Sequence, residues 1–144
     1  MTSLQLAITL PRLAPACPNA ALALFAVRRM GAHGLDDAHA AEAMLAGFGQ
    51  QFRRPLLCTR AFMADLSASA TGPIAIAPCC CRRMTAAEAA LIGVLSRAEA
   101  DPARAHLLLA DLMGRRRADG VLASATAMTL AFADEGRPIG GRPS

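Results

Sequence analysis

Aromatic residues are scarce in this chain of 144 residues, which has five Phe and neither Tyr nor Trp. Proteins that grip single-stranded nucleic acid need aromatic stacking platforms and a dense basic face. With a net charge of only +4, this chain has neither, and nucleic acid is not an expected partner. Lysine is absent, so all fifteen basic residues are Arg. No uncharged apolar run approaches the roughly 18 residues of a membrane-spanning helix. The stretch Val121–Ala133 is 13 residues long and carries Ser and Thr, which suits a buried core helix. A spaced cysteine framework is also missing. Cys17, Cys58, Cys79, Cys80 and Cys81 are odd in number, and three are consecutive. That pattern argues against a disulfide-stapled secreted domain and for reduced thiols in the cytoplasm. The apolar stretch Leu4–Leu10 has no basic residue before it, a poor signal peptide, although the small residues Ala14 and Ala16 precede Cys17.

Glycine-rich phosphate loops, Gly-x-Ser-x-Gly, His-Glu-x-x-His and the dinucleotide fingerprint are all lacking. No catalytic residue and no cofactor can be assigned on this basis, and an enzyme is the less favoured reading.

What fills the chain is alanine, at 34 positions, with Leu, Ile, Val and Met. Alanine is the best helix former and lets helices approach closely, so the composition leans towards a helical bundle. The punctuation predicts about six short helices in one compact, mainly α domain over residues 1–136, followed by a Gly/Pro-rich disordered tail, 137–144. Asn19 is expected to cap the first helix, Ala20–Met30, which ends at Gly31. Asp36-Asp37 opens the second, running to about Phe52 with Ala41, Leu45 and Phe48 on one face. Pro55 opens the third, to about Ala70. Thr85-Ala86-Ala87-Glu88 is a capping box and starts the fourth, to Ala100. Asp101-Pro102 starts the fifth, which ends at Gly114 and is apolar nearly all round, hence central. Asp119 is expected to cap the sixth, to about Glu135. Between the third and fourth helices, Pro73–Pro78 is extended and alternates β-branched residues. It is placed to pair with Leu4–Leu10 as one short two-stranded ribbon.

The least ordinary chemistry is Cys79-Cys80-Cys81, beside Arg82 and Arg83 and just before a helix start. Cations and a helix N-terminus both favour thiolate, which makes the run a candidate reactive or soft-metal site, with Cys79, Cys80 and Cys81 as ligands. In extended backbone Cys79 and Cys81 point one way and Cys80 the other. The spacing does not match a standard zinc site, and the competing reading is small apolar side chains packed in a tight stretch. Thiols lining a cavity with a histidine would favour binding; thiols packed on Ile74 and Leu91 would favour packing. His33, Asp36, Asp37 and His39 form a second, weaker metal candidate, with Asp36 and Asp37 already suited to capping and His39 expected in solvent. His106 is expected at the core boundary. Of the arginine clusters, Arg28-Arg29, Arg53-Arg54 and Arg115–Arg117 are read as cations offsetting helix C-termini. Arg82, Arg83, Arg115, Arg116 and Arg117 would form an anion site if the fold brought them together.

Arg28–Asp37, Arg53–Leu56, the segment Pro73–Cys81 containing Ile-Ala-Pro-Cys-Cys-Cys, and Asp119–Ala125 resemble a family of small uncharacterised bacterial proteins. The resemblance spans about Leu10 to Ile139 and implies a bacterial, cytosolic protein; it brings no activity, ligand or catalytic residue. A mean hydropathy of +0.35 is high for a soluble monomer of this size. The expected function is therefore non-catalytic: self-association as a homodimer or other homo-oligomer, or docking to a regulatory protein partner. Ala123, Ala127 and Ala131 are the expected contact face. The alternative is a thiol or soft-metal binding protein built on Cys79–Cys81.

Overall fold

Helix starts and stops encoded in the chain position six helices among the described residues, 12–140, of the computed structural model. In order these are strand β1 (Arg12–Leu13), α1 (Pro18–His33), α2 (Ala38–Phe48), a single 3-10 turn (Gly49–Gln51), α3 (Arg53–Ser69), strand β2 (Arg83–Met84), α4 (Ala86–Arg97), α5 (Pro102–Met113) and α6 (Asp119–Asp134). The Thr85 and Asp101 starts are as expected, and the cap of α2 falls on Asp37, one residue after Asp36. Asp37 accepts from the Ala40 N–H at 2.9 Å, and Asp101 accepts from the Arg104 N–H at 3.2 Å. Thr85 and Glu88 close a full capping box. Gly114, in the left-handed region at φ 69°, ends α5.

Other boundaries move for physical reasons. Helix α1 begins earlier, with Cys17 at the cap position and Pro18 at the first helical position, where its missing N–H costs nothing. It runs on to His33 and stops at Gly34. Asn19 does not cap it but holds a distant part of the chain, donating to Pro138 O at 2.9 Å and accepting from Arg137 at 3.2 Å. Helix α2 stops at Phe48 because Gly49 takes φ 63°, and α3 then starts at Arg53 with Pro55 inside its first turn. At α6 the cap position belongs to Ala118, whose N–H donates to His106 Nε2 at 3.0 Å. Asp119 instead sits in the first turn, where a negative charge favours the helix dipole.

Helix α5 is not apolar all round in its setting. Ala105, Leu109, Ala110 and Met113 are buried, whereas Leu107 is 69% exposed. The ribbon exists but in different register: Arg12 pairs with Met84 and Leu13 with Arg83, antiparallel. The segment Pro73–Pro78 belongs to no strand, and the expected partner, Leu4–Leu10, lies outside the described residues. The described part of the expected tail, 137–140, is held to the body. Arg137 donates to Gly47 O at 2.7 Å, and Ile139 is 4% exposed within the core.

The core is filled by Phe62, Phe132, Met44, Leu66, Leu91, Leu95, Leu109, Met113 and Met128. Each such side chain, fully buried, contributes about 1.5–3 kcal/mol relative to exposure. Phe48 meets Phe132 edge-on at 5.0 Å between ring centres. Helices α3 and α6 lie antiparallel, since Arg54 pairs with Asp134 at one end and Ser124 donates to Asp65 at the other. No helix among the described residues is long and apolar enough to cross a membrane.

Candidate functional site

The segment between α3 and α4 is fixed by a charge pair inside the core. On α1, Ala20, Leu24 and Arg28 follow at four-residue spacing along the buried face. On α4, Glu88, Leu91 and Leu95 follow at three- and four-residue spacing along its buried face. The two stripes meet, and Arg28 and Glu88, 3% and 0% exposed, face each other. Arg28 Nε donates to Glu88 Oε2 at 2.7 Å, and Nη2 donates to Oε1 at 3.1 Å. The same guanidinium donates from Nη1 to Cys81 O at 2.7 Å and from Nη2 to Arg83 O at 2.8 Å. Glu88 in turn accepts from the Ala77 N–H at 3.1 Å and the Thr85 N–H at 2.9 Å. The pair thus ties residues 77–85 to two helices at once. Burial pushes the Glu88 carboxyl up, but the bonds from Arg28, Thr85 and Ala77, with the Arg28 charge, leave it below its ordinary value.

That anchored segment carries the three consecutive thiols. They are not in extended backbone. Cys81 N–H donates to Pro78 O at 3.0 Å, which closes a turn over Pro78–Cys81. Alternation of side chains therefore fails, and it is Cys79 and Cys80 whose sulfurs come together, at 3.4 Å. The bond to Cys79 raises the Cys80 pKa, and the Arg28 and Arg29 charges oppose that rise without overcoming it. For Cys80 this corrects the expectation that neighbouring cations would favour thiolate.

Two clefts flank the turn. One, of about 430 Å³, is lined by Cys79, Cys80, Cys81, Arg28 and Arg82 against the apolar wall of Leu24 and Phe25. The other, of about 400 Å³, places Cys79 beside Arg29, His33 and Pro78. Ile74 and Leu91 line a third, apolar cleft of about 260 Å³ that contains none of the thiols. One thiol therefore shares a cleft with a histidine. Among the described residues, no three His, Cys, Asp or Glu side chains converge as metal ligands.

The remaining candidates separate. Asp37 accepts from Arg29 Nε at 3.0 Å and from Nη2 at 2.9 Å. This pairing, opposed by desolvation and helped by the Ala40 N–H, lowers its pKa to about 2. His33 and His39 are exposed, and the His106 ring serves the start of α6. The two arginine groups are tied to different elements. Arg83 belongs to β2, and Arg82 O accepts from the Ala14 N–H at 2.7 Å. Arg115 donates to Ser69 O at the end of α3, Arg117 pairs with Asp119 at 2.9 Å, and Arg116 is exposed. Arg28-Arg29 does not serve a helix end: each member has a carboxylate of its own. Arg53-Arg54 stands at a helix start, where Arg54 meets Asp134 at 2.6 Å and Arg53 lies over the Phe52 ring at 5.3 Å.

A second feature is the outer side of the α3–α6 pair. Leu57, Ala61, Ala64 and Ala68 are exposed along α3, and Ala123, Ala127 and Leu130 along α6. Over these spans neither stripe contains a charge; the exposed Arg54–Asp134 pair bounds them at one end, and Asp65 beside them accepts from Ser124. Ala131, expected in the contact face, is fully buried, because its turn of the helix faces the core; Leu130, 40% exposed, takes its place.

No curated protein and no solved structure matches the chain. A family model, described as a family of unknown function, matches residues 1–133. The residues singled out at the thiol turn, the Arg28–Glu88 pair and the α3–α6 face all fall inside that match, and the chain belongs to this family, DUF6628.

Proposed function

We propose that this protein acts without catalysis, by associating with a second copy of itself through the outer face of α3 and α6. The observation that carries the reading is the uncharged double stripe, Leu57-Ala61-Ala64-Ala68 beside Ala123-Ala127-Leu130. The scattered exposed side chains Leu13, Leu45 and Leu107 are ordinary for a protein surface. A continuous stripe on two packed helices is not, because helices in contact with water normally place charged residues there. The occupant follows from the chemistry. A two-fold interface must be complementary to itself. A neutral apolar face meets that requirement, whereas a face of one sign would repel its copy. Small side chains let helix backbones approach closely. Burying the stripe also accounts for the mean hydropathy of +0.35.

A reducing bacterial cytoplasm suits this reading, since all five cysteines are unpaired. Light scattering of the full chain tests it. A mass of two chains that falls to one in Ala61→Glu and Ala127→Glu supports self-association. A monomeric wild type overturns it and leaves the face to a different protein partner.

A further inference from the structure

We propose that Cys79 and Cys80 form a two-thiolate site for a soft monovalent metal ion of the copper(I) class. The starting point is the turn Pro78–Cys81, which places two consecutive sulfurs 3.4 Å apart at the edge of an open cleft of about 430 Å³. The donor set selects the metal. Zinc takes three or four protein ligands, and among the described residues no third His, Cys, Asp or Glu joins this pair. Calcium and magnesium require oxygen ligands. Soft thiolates select copper(I), which is content with two.

Binding is a proton exchange with no change in oxidation state. Two thiols and one Cu⁺ give a bis-thiolate complex of charge −1 and release two protons. The net negative charge of that product falls among cations. Arg28 and Arg82 line the same cleft, and Arg29 lines the neighbouring cleft that Cys79 also borders, so cations flank the complex's negative charge. A linear sulfur–copper–sulfur arrangement needs a wider gap than 3.4 Å. Rotation of the exposed Cys80 side chain supplies it without moving the backbone, which Arg28 holds at Cys81 O.

The pair is distinct from the packing role open to any buried cysteine, because Cys80 is exposed and Cys79 only half-buried. It is also distinct from the Cys79/Cys81 pairing that extended backbone would give.

The test is an anaerobic titration of the reduced full chain with copper(I), in competition with the chromophoric chelator bathocuproine disulfonate. One copper per chain is expected. Cys79→Ser and Cys80→Ser each abolish it, while Cys17→Ser, Cys58→Ser and Cys81→Ser retain it. Zinc(II) is not held under the same conditions. Circular dichroism of each variant separates loss of the site from loss of the fold; Cys80→Ser, at an exposed position, keeps the helical spectrum. Failure of the wild type to compete with the chelator overturns the proposal. So does retention of copper by Cys80→Ser together with its loss in Cys81→Ser.

Discussion

Removing one member of the Arg28–Glu88 pair leaves the other charged and buried, with its hydrogen-bond partners stranded. Arg28→Ala and Glu88→Ala are each expected to destabilise the protein by about 3–5 kcal/mol, the usual cost of breaking a buried ion pair from one side. Urea unfolding followed by circular dichroism measures it, and a midpoint equal to wild type would refute the role. The carboxylates set the pH response. Glu88 is held below its ordinary value, and Asp37 is lowered from 3.8 to about 2. A depressed carboxylate adds stability that is complete above its unfolded pKa and lost as pH falls through its folded pKa. The melting temperature should therefore be flat near neutrality and fall on acidification from about pH 4.5 towards about pH 2. Asp37→Asn should have a lower melting temperature near neutrality and a shallower acid limb. The Arg28–Glu88 pair leaves a legible clue in the chain, because Arg28 and Glu88 each interrupt an apolar stripe at helical spacing. What the spacing does not reveal is that the two stripes face each other. Reading Arg28-Arg29 as helix-end cations missed that, since the helix continues to His33.

Elements whose boundaries are encoded by local chemistry were readable, and those set by distant contacts were not. The Thr85–Glu88 box, the Asp37 and Asp101 caps and the Gly114 stop depend on residues within one turn. By contrast, β1 pairs with residues about seventy positions away, a register that local alternation cannot supply. The thiol turn shows the same limit. Its sulfurs meet because Pro78–Cys81 bends, and the bend is held by Arg28 from another helix. Asn19 looked like a cap, yet it binds the chain near Pro138. At this scale Thr85→Ala removes both the Glu88 N–H acceptor and the bond from Thr85 Oγ1 to Ala75 O. It should cost about 1–2 kcal/mol of stability, at the upper end for a lost cap, as read from chemical denaturation. A loss confined to a few tenths would mean that the segment is held by Arg28 alone.

The six helices leave one long apolar stripe, along α3 and α6, without cover from the described chain. The apolar excess is legible in composition; of the expected contact face Ala123 and Ala127 are exposed, whereas Ala131 at the same spacing is buried. The α3 half of the face is not legible there, because it depends on which helices pair. The thiol turn and the α3–α6 face are separate features, so copper binding and self-association are independently testable. The central claim is that this face takes a second copy of the chain. Sedimentation equilibrium of the full chain over a range of concentrations tests it most directly. The account predicts a wild-type mass of twice the 14.9 kDa chain, dissociating on dilution, and an Ala127→Glu variant that stays at the single-chain mass throughout. A wild type that sediments as one chain at every concentration, or an Ala127→Glu variant as dimeric as wild type, would contradict it.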